Sequence, residues 1–335
     1  MRCRWTLTDV MIGLAIVVLL AGGVLPAAAL RSHEYSHIAK CSSNLRMIGL
    51  AMKMYANEEV RIQAYPRTIW DVNNPTPTWT SASAFNEAVT TGAPKASPFN
   101  GPGQVAANDV TAAIFLVIRT QDITADVFVC PATNDDRYNF ANVPAESFTN
   151  WTDAKDSFRS YGRTLSYSLS NPYPGKAAVS DGFRFDDAMT ADFPLMADAN
   201  GGVAQLLTTK PNAPAEAIRA INSPNHGYDG QNVLYADGHV DWVTNPFVGI
   251  QSENIYTAGG SYGTLPVSTE VIVGPPAHAN DAVMLPVYPA GKQPGAGTPG
   301  PSRVPLVMGA SALAVVAVVA IATALWTSRK PRREE

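Results

Sequence analysis

Two stretches of the chain are apolar throughout, and a third is apolar along one side only. "VMIGLAIVVLLAGGVLPAAAL" (Val10 to Leu30) and "LVMGASALAVVAVVAIATALW" (Leu306 to Trp326) each run 21 residues without a charge. About 20 helical residues cross a hydrocarbon core, so both read as transmembrane helices. After the first, Ile38, Cys41, Leu45, Ile48, Met52 and Tyr55 follow at spacings of 3, 4, 3, 4 and 3. That period draws one stripe along a helix that continues the first span to about Glu59. Arg46, Lys53 and Asn57 fall on the opposite face. Pro26 lacks an N–H and is expected to kink the membrane half.

Further on the pattern shortens. "YPRTIW" is followed by a Pro/Gly/Thr-rich excursion (Asn73 to Asn108) that reads as loop. "DVTAAIFLVIRT" (Asp109 to Thr120) reads as a short buried helix with Asp109 as its N-cap. Then "VFVC", "TLSYSLS", "FPLMAD", "NVLYA" and "HVDW" stand as short β-type runs between turn residues. The fold class expected is α+β: a long N-terminal transmembrane-to-domain α-helix packed on an antiparallel β-sheet domain, plus a separate C-terminal transmembrane helix. The organisation that follows is a cytoplasmic leader (1–9), a transmembrane helix (10–30), its amphipathic continuation (31–60) and an extracytoplasmic α+β domain (61–270). A Pro/Gly-rich linker (271–303), a second span (304–327) and a basic tail (328–335) complete it.

Charge fixes the orientation. Arg2 and Arg4 precede the first span, and Arg329, Lys330, Arg332 and Arg333 follow the second. Both ends then belong in the cytoplasm, with the main domain on the far side of the inner membrane. Charged residues are only 16% of the chain and the net charge is −4, with no basic stripe, which argues against nucleic acid as a partner. Of the three cysteines, Cys3 falls on the cytoplasmic side, while Cys41 and Cys130 fall where a disulfide persists. Two readings stand for that pair, a bridge or two buried free thiols.

"NHGYDGQNVLYADGHVDW" is the densest polar stretch. Asp-Gly at 237–238 predicts a two-residue type I′ hairpin between "NVLYA" and "HVDW". Asp229-Gly230 predicts a second tight turn. Turn chemistry leaves His226 and His239 unexplained. With Asn225, Asp229 and Asp237 they offer ligands to a divalent ion, calcium through the oxygens or zinc through the histidines. "GGSYG" (Gly259 to Gly263) fits the G-x-S-x-G of hydrolases, with His278 downstream. That motif needs a strand before it and a helix after it, and the flanking residues show no helical period, so no catalytic residue is assigned and no enzyme is expected.

The start "WTLTDVMIGLAIVVLLAGGVLPA" resembles the N-terminal segment of type IV pilin-like proteins. Trp5 takes the place of the first mature residue, Asp9 that of the acidic residue, and Pro26 that of the helix-bending proline. Arg4 stands where the processing peptidase prefers glycine. "CSSNLRMIGLAMKMYANE", "VFVCPATND", "LSYSLSNPYP", "LMADAN" and "NHGYDGQNVLYADGHVDW" are similar to blocks of a planctomycete-rich family of pilin-like proteins, domain of unknown function 1559. The resemblance covers about residues 5–256 and implies a membrane-anchored, pseudopilin-like envelope protein with a structural or assembly role. Its implied partners are the lipid bilayer and other pilin-like subunits or the assembly proteins of a secretion or pilus system. The second apolar span is outside that family's pattern and supports an alternative, a doubly anchored extracytoplasmic binding module.

Overall fold

The computed structural model describes residues 8, 11–14, 16, 25–59, 63–79, 105–142, 144–151, 159–260 and 268–288. The chain divides into two compact units, Met1–Ser36 with Gly297–Glu335, and His37–Ala296. Among the described residues no helix is long and apolar enough to cross a membrane. Ten of the 21 residues of the first apolar run, with Arg4, Trp5 and Asp9, and all of the second lie outside the described residues. So do residues 17–24, on which the expected kink at Pro26 depends.

Helix α1 (Leu25–Glu58) buries one side on the main unit. Cys41, Leu45, Ile48, Met52 and Ala56 are at most 1% exposed, while Ile38 and Tyr55 at the ends of the stripe are half-buried. Helix α2 (Val110–Thr120) starts as its sequence predicts, with the Asp109 carboxylate accepting from the Ala112 N–H at 2.9 Å. Residues Val110 to Ile118 are all buried, so α2 is a core helix without a solvent face.

Among the described residues seven strands follow: β1 (Tyr167–Ser170), β2 (Pro194–Asp198), β3 (Gln231–Tyr235), β4 (Val240–Val243), β5 (Ala258–Gly260), β6 (Ser268–Val271) and β7 (Met284–Leu285). Five form an antiparallel sheet in the order β4-β3-β2-β1-β7, and β5 and β6 make a separate ribbon. Strands β1 to β4 are thus a meander in chain order, and β7 returns to its open edge. The α+β class with an antiparallel sheet is what the sequence pattern leads one to expect.

Register sorts the face beneath α1 into an apolar and a polar layer. Leu169, Met196 and Leu234 are cross-strand neighbours and share one face. Ile48 and Met52 of α1 and Ala113, Ile114 and Val117 of α2 meet Leu169 and Met196 around one small apolar gap. A Cβ on Gly49 would stand 2.9 Å from both methyls of Leu234, so glycine there lets the helix approach the sheet. Two residues along each strand, Tyr167 and Asp198 are partners, and Asn232 shares their face by alternation. The polar end of α1, Cys41 and Asn44, lies at this second layer: Asn44 donates to the Tyr167 hydroxyl at 3.2 Å and to the Val129 carbonyl at 2.9 Å.

Two ties fix α1 to distant parts of the chain. A disulfide joins Cys41 to Cys130 across 89 residues, with Cα atoms 5.4 Å apart. Closing so long a loop removes about 4 kcal/mol of chain entropy from the unfolded state. Lys53 donates to the Asp237 carbonyl at 2.8 Å, linking the helix to the β3–β4 turn.

Three local expectations are corrected. "VFVC" is no strand: Ala125–Phe128 is a 3-10 turn, because the N–H groups of Val127 and Val129 return to the carbonyls of Thr124 and Asp126. The β3–β4 connection is not a two-residue type I′ turn. Tyr235 and His239 pair around the three residues between them, Gly238 donates back to the Tyr235 carbonyl at 2.9 Å, and Gly238 but not Asp237 has positive φ. That is a type I turn followed by a left-handed glycine. The turn before β3 pivots on Gly227 (φ 63°) and Tyr228 (φ 66°) and not on Asp229-Gly230. Gly230 has another reason: a Cβ there would stand 2.4 Å from the Val243 carbonyl oxygen.

Candidate functional site

The five residues proposed from sequence as a metal set do not come together. Asp229 pairs with Arg219 at 2.6 Å, both more than half exposed. Asp237 and His239 pair with each other at 2.5 Å in the hairpin turn, and the His239 ring stacks on Tyr235 with centroids 4.4 Å apart. The Asp237 carboxyl is held below its ordinary range, first by the His239 N–H donating to it. Asn225 and His226 instead turn inward. The set is therefore split by the sheet edge: three members are turn residues facing water and two are buried.

The inward pair sits on a short 3-10 helix, Pro224–His226. The Ser223 hydroxyl accepts from the Asn225 N–H at its start, and Gly227 closes it in the left-handed region. This geometry sends the Asn225 and His226 side chains to the polar layer of the sheet. His226 meets Asp198, at the end of β2, with Nε2 3.6 Å from Oδ2 and both side chains fully buried. Asp198 is heavily solvated by protein donors. Its Oδ1 accepts from Asn225 Nδ2 at 3.1 Å, and its Oδ2 from the Asn232 N–H at 2.6 Å and Asn232 Nδ2 at 3.1 Å. Burial still pushes its carboxyl above the usual range, with His226 and these donors working against the rise. Tyr256 donates to the Asp198 carbonyl at 2.9 Å, and burial raises its phenol well above the ordinary value.

The disulfide completes the cluster. Cys130 Sγ lies 3.5 Å from His226 Nε2, and the far side of the His226 ring meets the Trp242 ring edge-on at 5.2 Å. One ligand atom from each of Cys41, Cys130, Asp198 and His226 lies within 4.8 Å of the others, and all four residues are buried. Sulfur and carboxylate both approach the same imidazole nitrogen. A nucleophile–base–orienter relay needs them on opposite nitrogens, so this cluster is not a triad.

Asp198 and Cys130 are the members that turn chemistry alone does not single out. The available signal was a carboxylate ending an otherwise apolar strand run, "FPLMAD", where only a buried partner justifies the charge. The remaining enzyme-like motif fares no better: Ser261 lies outside the described residues, and the next described element after "GG" is strand β6, not the helix a nucleophile elbow needs. His278 is buried, its Nδ1 accepts from the Asn280 N–H at 3.3 Å, and burial lowers its affinity for a proton.

Comparison with protein-family models, curated proteins and solved structures returns no match.

Proposed function

We propose that this chain is a pilin-like or pseudopilin-like protein of the cell envelope, anchored in the inner membrane by its N-terminal helix, with a structural or assembly role and no catalysis. The observation that carries the reading is the seating of α1. Its Cys41–Ala56 stripe lies on an antiparallel meander, so that one helix serves the head with its buried side and leaves its opposite side to a partner. Met47, Leu50 and Met54 are exposed there, Leu50 by 63%. In an assembled form they would lie against the helices of further copies. The Cys41–Cys130 bridge supports a head in an oxidising compartment outside the cytoplasm. The pilin-like lettering from Trp5 to Pro26 supports the anchor.

A second reading keeps the head outside the membrane but tethers it at both ends as a binding module. The apolar run Leu306 to Trp326 with its four following cations favours it, since such a tail resists extraction from the bilayer. Mass spectrometry of the mature protein separates the two. A chain beginning at Trp5 with a methylated amine is the assembly-competent form; an intact Met1 together with a retained C-terminal span supports the tethered module and contradicts the first reading.

A further inference from the structure

The Cys41, Cys130, Asp198 and His226 cluster is built as a metal site that the disulfide closes. We propose that, with its thiols reduced, the chain binds one zinc-class divalent ion through Cys41 Sγ, Cys130 Sγ, His226 Nε2 and Asp198 Oδ2, and that bridge and ion exclude one another. The inference does not depend on the pilin-like reading.

Two of the ligand spacings already match those of a tetrahedral site. Zinc bonds of roughly 2.0–2.3 Å to nitrogen, oxygen and sulfur place neighbouring ligand atoms about 3.3–3.8 Å apart. The Cys130 Sγ to His226 Nε2 distance is 3.5 Å and the His226 Nε2 to Asp198 Oδ2 distance is 3.6 Å. The two sulfurs, bonded to each other, lie closer than a shared ion permits. Binding would part them by rotation about the Cys41 and Cys130 side chains and free Asp198 Oδ2 from one of its two Asn232 donors.

The donor set also fits a borderline-soft ion. Two thiolates, one imidazole and one carboxylate select zinc over calcium or magnesium, which demand oxygen. An ion at the point where sulfur, oxygen and nitrogen converge would offset the charge of a fully buried Asp198. The outer support is present as well. Asn225 and Asn232 hold the Asp198 carboxylate from both oxygens, and the Trp242 edge fixes the His226 ring. Such second partners set ligand orientation and affinity.

Loading from the bridged form requires a dithiol reductant. Its two thiols are oxidised to a disulfide while the Cys41–Cys130 bond takes up two electrons and two protons; the ion then displaces those protons from the two thiols.

The test uses the full chain purified in detergent, once oxidised and once held in a dithiol, with folding followed by circular dichroism. Cobalt(II) is titrated as the optical probe and zinc then competes. The expected result is one ion per reduced chain, with the intense visible bands of a tetrahedral thiolate site, a raised unfolding midpoint on metal addition, and none of these in the oxidised chain. His226→Gln is expected to weaken zinc binding by more than about tenfold, the loss that even outer-shell partners give. Cys130→Ser, which cannot form the bridge, is expected to lose the thiolate intensity. The proposal is overturned if the reduced, folded chain binds neither ion, or if oxidised and reduced chains bind alike. Binding unchanged in both variants overturns it, as does a chain that unfolds on reduction and is not refolded by metal.

Discussion

Glu253 and Asp281 form a second buried acidic pair, away from the cysteine cluster. Asp281 Oδ2 accepts the Gly259 N–H at 2.8 Å and the Ala277 N–H at 2.6 Å, while Glu253 Oε1 and Asp281 Oδ1 are buried without a hydrogen-bond partner among the described residues. Two neighbouring buried carboxyls disfavour a second negative charge. Burial first, then the neighbouring Asp281 charge, raises Glu253 well above the usual carboxylate range, and burial pushes Asp281 up to about 6. The folded chain therefore holds protons that the unfolded chain releases, so stability falls as pH rises from the unfolded carboxylate range through neutrality. Glu253→Gln replaces the buried acid by a neutral amide that cannot ionise. Urea midpoints measured from about pH 5 to about pH 8 are expected to decline in the parent chain and to decline less in the variant, where only Asp281 still titrates. The variant should be more stable at the alkaline end by about 1–3 kcal/mol. A parallel decline in both chains would show that the pair does not carry the proton.

At the scale of the element, α1 has two apolar sides with different duties. Ile48 is fully buried between helix and sheet, and Leu50, two residues on, is exposed. Ile48→Ala is expected to cost about 2–5 kcal/mol in chemical denaturation. Leu50→Gln should change the stability of the isolated chain by less than about 0.5 kcal/mol. Comparable losses in both would mean that the outer side is already packed within one copy. The buried stripe was legible because side chains at 3- and 4-residue steps must share a face, and α2 was legible from its Asp109 cap. Strands β1 to β4 could be read from their alternating or apolar runs between turns. What escaped reading was tertiary. Asn44, polar by type, belongs to the buried side because Tyr167 and the Val129 carbonyl await it. "VFVC" has strand residues, yet Asn44 takes its Val129 carbonyl and local 3-10 bonds take its N–H groups. Of the candidate site, His226 and Asn225 were visible as polar residues beyond the needs of a turn. Their partners Asp198 and Cys130 lie 28 and 96 residues from His226 in sequence, and only the tertiary fold brings them together, Asp198 at the end of β2 and Cys130 through its bridge to α1.

The main unit, His37–Ala296, is organised on one side of the helix segment from Cys41 to Ala56. The apolar layer of Leu169, Met196 and Leu234 holds α1 by packing, and the polar layer beyond it holds α1 by a disulfide and by Asn44. Lys53 ties the same helix to the turn at Asp237. With these three attachments the head cannot move independently of the helix segment from Cys41 to Ala56. The central claim is that this head lies outside the cytoplasmic membrane. The most direct measurement places Glu216→Cys, on an exposed stretch of the head, in a chain carrying Cys3→Ser, so that it is the one free thiol beside the Cys41–Cys130 bridge, and exposes intact spheroplasts to a membrane-impermeant maleimide. Labelling without lysis is the predicted result; labelling that appears only after lysis would put the head in the cytoplasm and contradict the account.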